Sequence, residues 1–305
     1  MIHERHHNER KVEKPVDIAI LTVSFPIDKE TAIETQKLVQ TSEQLDGITY
    51  EQVLNLSSME DPLAKGFAVL AYGGDDVVGI VSAIDMIGIH SYEWSGLVHP
   101  EFRRQGLGQA LLSELQRNLE VRGAESELAM NVKTSEAGAA FLGQTGYEWN
   151  FSEATLKSMI QAVEESPDVQ VVPYTTERVE LTQLLMNAFG DTEDEVQTLL
   201  EFNATSPSRH VYIAKKHGEV VGTVTAVEEG KSLWVTALAT NPLHQGQGIG
   251  SVLLGFVQAE GERRTCESIM LDVEIDNDKA LSVYEKAGFK PILQIDYYVK
   301  TSTSS

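Results

Sequence analysis

The sequence has little of what marks a membrane-bound or exported protein. It holds one cysteine among 305 residues, so no disulfide can form within the chain. Its longest nearly unbroken apolar run, Ile18 to Phe25, is far shorter than the roughly 20 residues that span a bilayer. The charged N-terminus, MIHERHHNERKVEK, lacks the apolar segment of a signal peptide. We therefore predict a cytoplasmic protein with a flexible tail over residues 1–15.

Basic residues are also scarce. The chain has 24 lysines and arginines against 46 aspartates and glutamates, which gives a formal net charge of −22. Such a field repels phosphate backbones and anionic lipids, so we expect neither nucleic acid nor a membrane surface as a partner. His3, His6 and His7 stand without cysteines or acidic ligands at a fixed spacing, so we predict a solvated tail there and no metal site.

The chain contains an internal repeat. Residues 92–147 align without a gap on residues 234–289, at a shift of 142, with twelve identities. Upstream, DDVVGIVSA matches GEVVGTVTA at a shift of 143, and a one-residue difference in the loop between the two stretches explains the change. The repeat predicts two copies of one domain.

Both copies have the pattern of a mixed α/β domain. We place the N-terminal domain over residues 16–159, a polar linker over 160–168 and the C-terminal domain over 169–305. Apolar spacing predicts the order β-α-β-β-β-α-β-α-β in each copy. Because hairpins come early and a single crossover helix comes late, this order excludes a doubly wound nucleotide fold and a barrel.

The most informative segment is QGQGIG at residues 245–250, which follows Pro242 and leads directly into a helix. Main-chain amides at such a helix start converge on one point, and the helix dipole adds partial positive charge. The segment therefore predicts a phosphate site, with a simple packing turn as the alternative. Its spacing fits neither the dinucleotide fingerprint nor a P-loop, which needs a lysine. The first copy repeats it with Arg103, Gly106 and Gly108.

Together with a second motif downstream, this loop resembles the GNAT family, the GCN5-related N-acetyltransferases. The second motif is N-x-x-A-x-x-x-Y-x-x-x-G-F, formed here by Asn277, Ala280, Tyr284, Gly288 and Phe289. The resemblance covers residues 170–300 and, more weakly, 17–159. It implies two tandem GNAT-like domains, each a mostly antiparallel sheet with a central parallel strand pair and flanking helices. It also implies direct transfer of an acetyl group from acetyl-CoA to an amine.

The resemblance further implies where acetyl-CoA binds. In the family, the pyrophosphate lies on the amides of the glycine loop and the pantetheine pairs with the preceding strand. The implied cofactor-binding residues are Leu238, Ala239, Thr240, Gln245, Gly246, Gln247, Gly248, Ile249, Gly250, Ser251 and Asn277 in the second copy, and Arg103, Arg104, Gly106 and Gly108 in the first. Since no acyl-enzyme forms, Cys266 is not needed as a nucleophile, and we interpret it as a small buried hydrophobe.

Direct transfer requires two proton movements. A lysine-like amine is almost fully protonated at pH 7, so a carboxylate that accepts its proton has clear value. The resemblance makes Tyr284 the acid that protonates the leaving thiolate, with core packing as its alternative role. Asp272 lies where ribosomal-protein N-terminal acetyltransferases of the family carry a glutamate base. The alternative bases are Glu274 on the same strand face and Glu228 or Glu229 acting through water. The carboxylates of this strand could also simply lie on a solvated face without a catalytic role.

The first copy departs from this pattern. At the positions of Tyr284, Asp272, Asn277 and Ala280 it carries Leu142, Met130, Ser135 and Gly138. Its glycine loop is intact. We therefore predict a degenerate, non-catalytic half that could still hold a CoA, with Glu93 and Glu127 as its own alternative base candidates.

The acceptor is expected to be an amine of a small molecule or peptide. The segment after the first helix of the second copy is acidic, with Asp191, Glu193, Asp194, Glu195 and Glu201, and an acidic rim would attract a cationic amine. Thr192 and Glu195 also have capping-box spacing, so the acids equally fit a helix start. Two other functions stay open: a non-catalytic CoA-binding sensor or scaffold, and transfer of another acyl group.

Overall fold

The computed structural model describes residues 17–85, 88–160 and 168–301. The predicted tail, with His3, His6 and His7, and linker residues 161–167 lie outside the described residues. The first half comprises β1 (Ile18–Ser24), α1 (Lys29–Asp46), α2 (Leu56–Met59), β2 (Lys65–Gly73), β3 (Asp76–Asp85), β4 (Ser91–Val98), α3 (Leu107–Val121), β5 (Ser126–Val132), α4 (Glu136–Gln144) and β6 (Tyr147–Met159).

The second half repeats this order. It comprises β7 (Gln170–Pro173), α5 (Arg178–Phe189), α6 (Glu193–Thr205), β8 (Arg209–Lys216), β9 (Glu219–Glu229), β10 (Ser232–Thr240), α7 (Ile249–Arg263), β11 (Ser268–Glu274), α8 (Asp278–Lys286) and β12 (Lys290–Lys300). The predicted order of elements is confirmed, and each half has one further helix, α2 or α6, before its first hairpin.

The twelve strands of the described residues form one continuous sheet, in the order β1-β2-β3-β4-β5-β12-β6-β11-β10-β9-β8-β7. Two parallel pairs, β4 with β5 and β10 with β11, interrupt an otherwise antiparallel sheet. The predicted mixed fold with a central parallel pair in each copy is therefore confirmed. In the part of the chain that is described, no helix combines the length and apolar character needed to cross a membrane.

The last strand of each half pairs with the other half. β12 inserts between β5 and β6, where Ile295 is opposite Val132 on one side and Glu153 on the other. β6 in turn lies beside β11, with Thr155 opposite Asp272. We call β5, β12, β6 and β11 the central seam. The division of the chain at residues 160–168 stays a prediction, but the sheet itself runs across it.

Helices cover both faces of the sheet. The long helices α3 and α7 lie on one face, where Leu111 and Leu253 are buried in two separate cores. The opposite face is covered by α1 and α2 in the first half and by α5 and α6 in the second, with Leu38 and Leu181 buried beneath them. Each helix closes a core with its apolar stripe. Between these two helix pairs, the seam carries several acidic side chains.

Candidate active site

Both glycine loops end at the start of a long helix. Gly106 precedes α3 with a φ of 85°, and Gly248 precedes α7 with a φ of 81°. A residue with a Cβ is strained at such angles, which explains glycine at both positions. Within the described residues, the first amides of α3 and α7 donate to no protein acceptor. These amides and the helix dipoles give each half an equivalent anion site.

The charged neighbours of the two loops differ. The guanidinium of Arg103 forms an ion pair with Asp46 at the end of α1, with Nη1 2.9 Å from Oδ1. Its Nε donates to the carbonyl of Val98 at 2.8 Å. Arg103 thereby holds α1 against the loop and lowers the pKa of Asp46. Its role toward a cofactor stays a prediction. Arg104 is exposed and adopts a φ of 60°, the backbone that Gly246 takes in the second copy.

A lysine near the second loop was not indicated by the sequence pattern. The Nζ of Lys216, at the end of β8, donates to Oε1 of Gln247 at 2.9 Å. It supplies a positive charge beside the amides that start α7. No local motif could reveal this lysine, because two strands, β9 and β10, separate it from the loop along the chain.

The strands that precede the loops diverge from their parallel partners. β10 and β11 pair only up to Trp234 and Met270, and β4 and β5 only up to Trp94 and Ala129. In β10, the divergence coincides with a bulge between Thr236 and Ala239, where Ala237 has a φ of 48°. A bulge frees main-chain groups from the ladder. The predicted pantetheine residues Leu238, Ala239 and Thr240 therefore lie at an opening in the sheet.

Tyr284 lies on α8 and is 9% exposed. Its ring lies 6.0 Å from that of Phe289, so it also packs in the core. Burial raises the pKa of the phenol, which keeps it protonated and able to donate. The Tyr284 hydroxyl has no hydrogen-bond partner in the described part of the chain. Asn277 caps α8 through its Oδ1, which accepts from the amide of Ala280 at 3.1 Å, so the asparagine of the motif positions the helix that carries Tyr284.

β11 alternates as predicted. Leu271 and Val273 are buried in the core beneath α7, whereas Asp272 and Glu274 are exposed on the other face. Oδ1 of Asp272 accepts from Oγ1 of Thr155 at 2.6 Å. Burial raises the pKa of Asp272. Solvent still reaches its side chain, as it does at the floor of a cleft. A carboxylate with a raised pKa is a better proton acceptor.

The strand exchange brings acids of both halves together. Glu153 of β6 accepts from the hydroxyl of Tyr297 at 2.9 Å. Burial raises the pKa of Glu153 to about 7; the Tyr297 hydrogen bond opposes this shift, and the charges of Asp272, Glu93 and Glu274 support it. Burial also raises the pKa of Glu93, and the charge of Asp272 adds to it. We call Glu93, Glu153, Asp272 and Glu274 the seam carboxylates.

The remaining base candidates have different partners. Glu127 accepts from Nε1 of Trp94 at 2.8 Å and from the hydroxyl of Tyr147 at 3.0 Å, so it belongs to the core beneath α3. Glu228 pairs with His210 at 2.8 Å and with Arg264. These contacts hold both carboxylates in structural networks.

Glu229 is placed differently. It accepts from Oγ of Ser57 in α2 at 2.5 Å, across the two halves. Its charge also raises the pKa of Asp272. Of the candidates that follow the hairpin, Glu229 is therefore the one that acts on the seam carboxylates.

Cys266 and the acidic segment have clear local roles. Cys266 is half-buried against the core beneath α7, and burial raises the pKa of its thiol, which disfavours a nucleophilic thiolate. Thr192 and Glu195 form the capping box of α6, in which Thr192 N donates to Oε2 of Glu195 at 2.7 Å. The helix-start interpretation of these acids is confirmed, and a rim for the acceptor stays a prediction.

Known proteins resemble the chain over most of its length. A mycothiol acetyltransferase from Renibacterium salmoninarum is 23% identical over 325 aligned positions, which cover 94% of this chain and 91% of that protein. A GCN5-related N-acetyltransferase from Sphaerobacter thermophilus has a similar fold, with a TM-score of 0.72 and 19% identity, over 92% of this chain and 95% of that chain.

A tandem GNAT protein from the clavulanic acid biosynthesis pathway has a TM-score of 0.69 at 16% identity, over 95% of this chain and 100% of that chain. The family model of the acetyltransferase (GNAT) family matches residues 34–147 and residues 178–289, once in each half. Because these two matches span most of the sequence, the chain belongs to the acetyltransferase (GNAT) family and carries two copies in tandem.

Proposed function

We propose that the protein is an acetyl-CoA-dependent N-acetyltransferase whose second half carries the catalytic site. Membership of the family supports acetyl transfer. The observation that carries the choice of half is the pair Tyr284 and Asp272. Tyr284 lies in the core beneath α7, and Asp272 lies on the opposite face of the sheet, just beyond the last residue of β11 that pairs with β10. The first half has Leu142 and Met130 at the matching positions.

The residues of the second half fit the cofactor. The free amides at the start of α7 suit the pyrophosphate, with Lys216 beside them. The bulged segment of β10 offers main-chain groups to an extended pantetheine. Bound acetyl-CoA supplies an acyl thioester whose carbonyl carbon an amine can attack. The binding roles of Gln245 to Ser251, Leu238 to Thr240 and Asn277 are part of this proposal.

Two side chains move the protons. Asp272 takes a proton from the amine nitrogen as the nitrogen–carbon bond forms. Tyr284 gives its proton to the sulfur as the carbon–sulfur bond breaks, and both residues then re-equilibrate with solvent. The raised pKa values of the two groups suit these directions, since a protonated phenol donates and a basic carboxylate accepts.

The seam carboxylates support a cationic acceptor. They lie on the strand face that bears Asp272, between the helix pair of the first half and that of the second. A second positive charge on the acceptor would be attracted there. The mycothiol acetyltransferase relative supports a small molecule over a protein as the acceptor. The single cysteine supports a reducing, cytoplasmic setting.

The test is turnover of acetyl-CoA by the full chain with a panel of amines, followed by detection of the free thiol. The panel contains diamines, amino sugars, amino acid amides and short peptides, each beside a singly charged analogue. We expect acceptor-dependent thiol release that is faster for amines with a second positive charge. Acetyl-CoA binding without turnover on any amine would contradict catalysis and would favour a CoA-binding sensor.

A further inference from the structure

Arg209, the first residue of β8, lies on the sheet face that α5 and α6 cover. Val211, on the same face of the strand, packs in the core beneath these helices, whereas Tyr212 belongs to the core beneath α7. The guanidinium carbon of Arg209 lies 5.0 Å from the centre of the Phe202 ring, and its Nε donates to Oδ1 of Asn203 at 2.6 Å. Asn203 is only 4% exposed. The ring and the buried amide therefore hold the guanidinium in one orientation.

This half-buried guanidinium has no acidic partner among the described residues. Arg103, Arg263 and Arg264 each form an ion pair with an aspartate or a glutamate. The two Nη groups of Arg209, in contrast, donate to no acceptor in the described chain, and burial alone lowers its pKa. A charge taken out of water without a partner costs free energy. An anion from outside the chain would supply the missing partner.

The groups around the guanidinium suit a carboxylate. Because Oδ1 of Asn203 accepts from Arg209, the amide nitrogen of Asn203 is left as a donor. The hydroxyls of Ser206 and Ser208 lie 3.1 Å apart in the connection from α6 to β8. The planar fork of an arginine matches the two oxygens of a carboxylate. Its single positive charge also matches the single negative charge of that group.

Strand register relates Arg209 to the proposed base. One row of residues crosses the sheet, formed by Arg209 of β8, Val227 of β9, Trp234 of β10 and Met270 of β11. Asp272 follows Met270 by two residues and is therefore on the same face. From the spacing of strands and of residues along a strand, the Cα atoms of Arg209 and Asp272 are roughly 16 Å apart. Half-buried Trp234 lies between them and offers a floor to a small molecule that spans the two charges.

The arginine is remote from the proposed phosphate site. Trp234 is the third residue of β10, whereas the glycine loop follows the end of this strand. At about 3.3 Å per residue, the end of β10 is roughly 20 Å from the row that contains Arg209. An anion at Arg209 therefore belongs to a molecule other than the cofactor.

The first half has a different residue at this place. At the shift of 143, Gly66 of β2 stands in the position of Arg209. Their partners on the next strand, Ile84 and Val227, match at the same shift. A Cβ at Gly66 would lie 2.6 Å from Cε2 of Phe25, so an aromatic ring fills the space beside this glycine. The unpaired arginine is thus found only in the half that carries the proposed acid and base.

We infer that Arg209 binds a carboxylate of the amine acceptor, so that the acceptor is an amphoteric small molecule with its reacting amine at Asp272 and its carboxylate at Arg209. The inference rests on the proposed function, because it names the class of acceptor for that site. The seam carboxylates attract the amine end, and the arginine fixes the acid end. A diamino acid has both this carboxylate and the second positive charge that the seam carboxylates favour.

The kinetic test uses ε-aminocaproate and its amide, two amines that differ only in the carboxylate. With acetyl-CoA and the full chain, we expect a KM for ε-aminocaproate that is roughly tenfold lower or more, which corresponds to about 1.4 kcal/mol, at similar kcat. Arg209→Gln should raise this KM to that of the amide and leave turnover of the amide unchanged. Exposed Arg263→Gln, which breaks an ion pair with Glu260, is the control and should keep the preference.

Asn203→Asp separates binding from a merely structural role. It places a carboxylate of the chain beside the guanidinium, so we expect a higher melting temperature and loss of the preference for ε-aminocaproate. If Arg209 only stabilises the fold, Arg209→Gln should instead lower the melting temperature and slow both amines alike, which would overturn the inference. Arg209→Lys keeps the charge and serves if the glutamine variant does not fold, as judged by circular dichroism. It should retain part of the preference.

Caproate, which has no amine, tests the site without turnover. Its binding should change the fluorescence of Trp234, and Arg209→Gln should abolish this change, with Trp234→Phe as the control for the signal. If this result is obtained but no amine is acetylated, the proposed function fails and the carboxylate site stands. Equal KM values for the two amines in the natural chain, or a preference that Arg209→Gln and Asn203→Asp both keep, would overturn the inference. Inorganic phosphate that binds more tightly than caproate would also overturn it.

Discussion

The two halves share a glycine loop at the start of a long helix and differ in the side chains at the positions of the proposed acid and base. In both, a glycine with a left-handed backbone starts a long helix whose first amides are free. In the first half, Leu142 and Met130 line a cavity of about 750 Å³, whereas the second half has Tyr284 and Asp272 at those positions. The turn is part of the strand-to-helix connection and persists with the fold. The proposed acid and base, in contrast, are side chains that only the second half carries.

The difference teaches that a glycine loop does not fix which residues stand at the positions of the proposed acid and base. Gly106 and Gly248 are equivalent in backbone angle, yet only one loop is followed by a tyrosine at the motif position. What distinguishes the halves is the pair of residues that flanks the opening between the parallel strands. Four experiments test this comparison.

The largest effect is expected from Tyr284→Phe. The ring and its packing stay, only the hydroxyl is deleted, and that hydroxyl bonds to no other described residue. The rate of acetyl transfer should fall by roughly 10²–10⁴, the usual contribution of a general acid, while acetyl-CoA affinity and melting temperature barely change. Tyr72→Phe in β2 removes a hydroxyl far from the site and is the control. If the variant turns over almost as fast as the natural protein, and chemistry is shown to limit the rate, Tyr284 is not the acid.

Asp272→Asn tests the base. Asparagine can still accept the Thr155 hydrogen bond, so the strand pairing should hold. We expect kcat/KM to fall by roughly 10²–10³ at neutral pH. Burial raises the pKa of Asp272, so in the natural protein kcat/KM should increase with pH around a pKa above the ordinary carboxyl range. The variant should lose this increase. If Glu274→Gln loses this increase with pH instead, Glu274 is the base.

The pair Ser251→Glu and Gln109→Glu tests the anion sites at the starts of α7 and α3 separately. A glutamate in the first turn favours a helix, so both variants should fold. The new charge repels pyrophosphate, and acetyl-CoA affinity should fall roughly 10-fold or more at the altered site only. Turnover at low acetyl-CoA concentration should suffer in Ser251→Glu and persist in Gln109→Glu. The reverse pattern would place catalysis in the first half.

The smallest effect concerns stability across the seam. Folded Glu153 has a pKa of about 7, above its ordinary 4.5, so ionisation costs stability as the pH rises. The cost is absent below about pH 4.5 and complete above about pH 7. Glu153→Gln should therefore raise the free energy of unfolding by roughly 1–3 kcal/mol at pH 8 and by nothing at pH 4. Urea melts at both pH values check this, with Glu51→Gln at an exposed turn as control.

Local patterns predicted much of this molecule because local physics decides them. Alternation along β11 and the capping box at Thr192 depend on neighbours a few residues away, and the structure has both. The order of elements followed from the same kind of signal. Helix α6 was marked by its capping box, although its acids were also interpreted as an acceptor rim.

Partners that are distant along the chain could not be predicted. The alternation of a strand does not encode its neighbour, so the exchange of β6 and β12 left no trace in the pattern. The proximity of Glu93 to Asp272 follows from that exchange. The pair of Arg103 with Asp46 joins residues 57 positions apart, and an arginine beside a glycine loop indicates a phosphate just as well. The bulge at Ala237 carries no glycine to mark it.

The position of β12 has a consequence for the order in which the molecule is completed during synthesis. This strand is synthesised after the other eleven strands of the sheet, and it fills the gap between β5 and β6 of the half that was made first. Until then, both strands present unpaired edges. A premature stop before Lys290 would leave those edges open for good. The half translated first is thus completed only when β12 has been made.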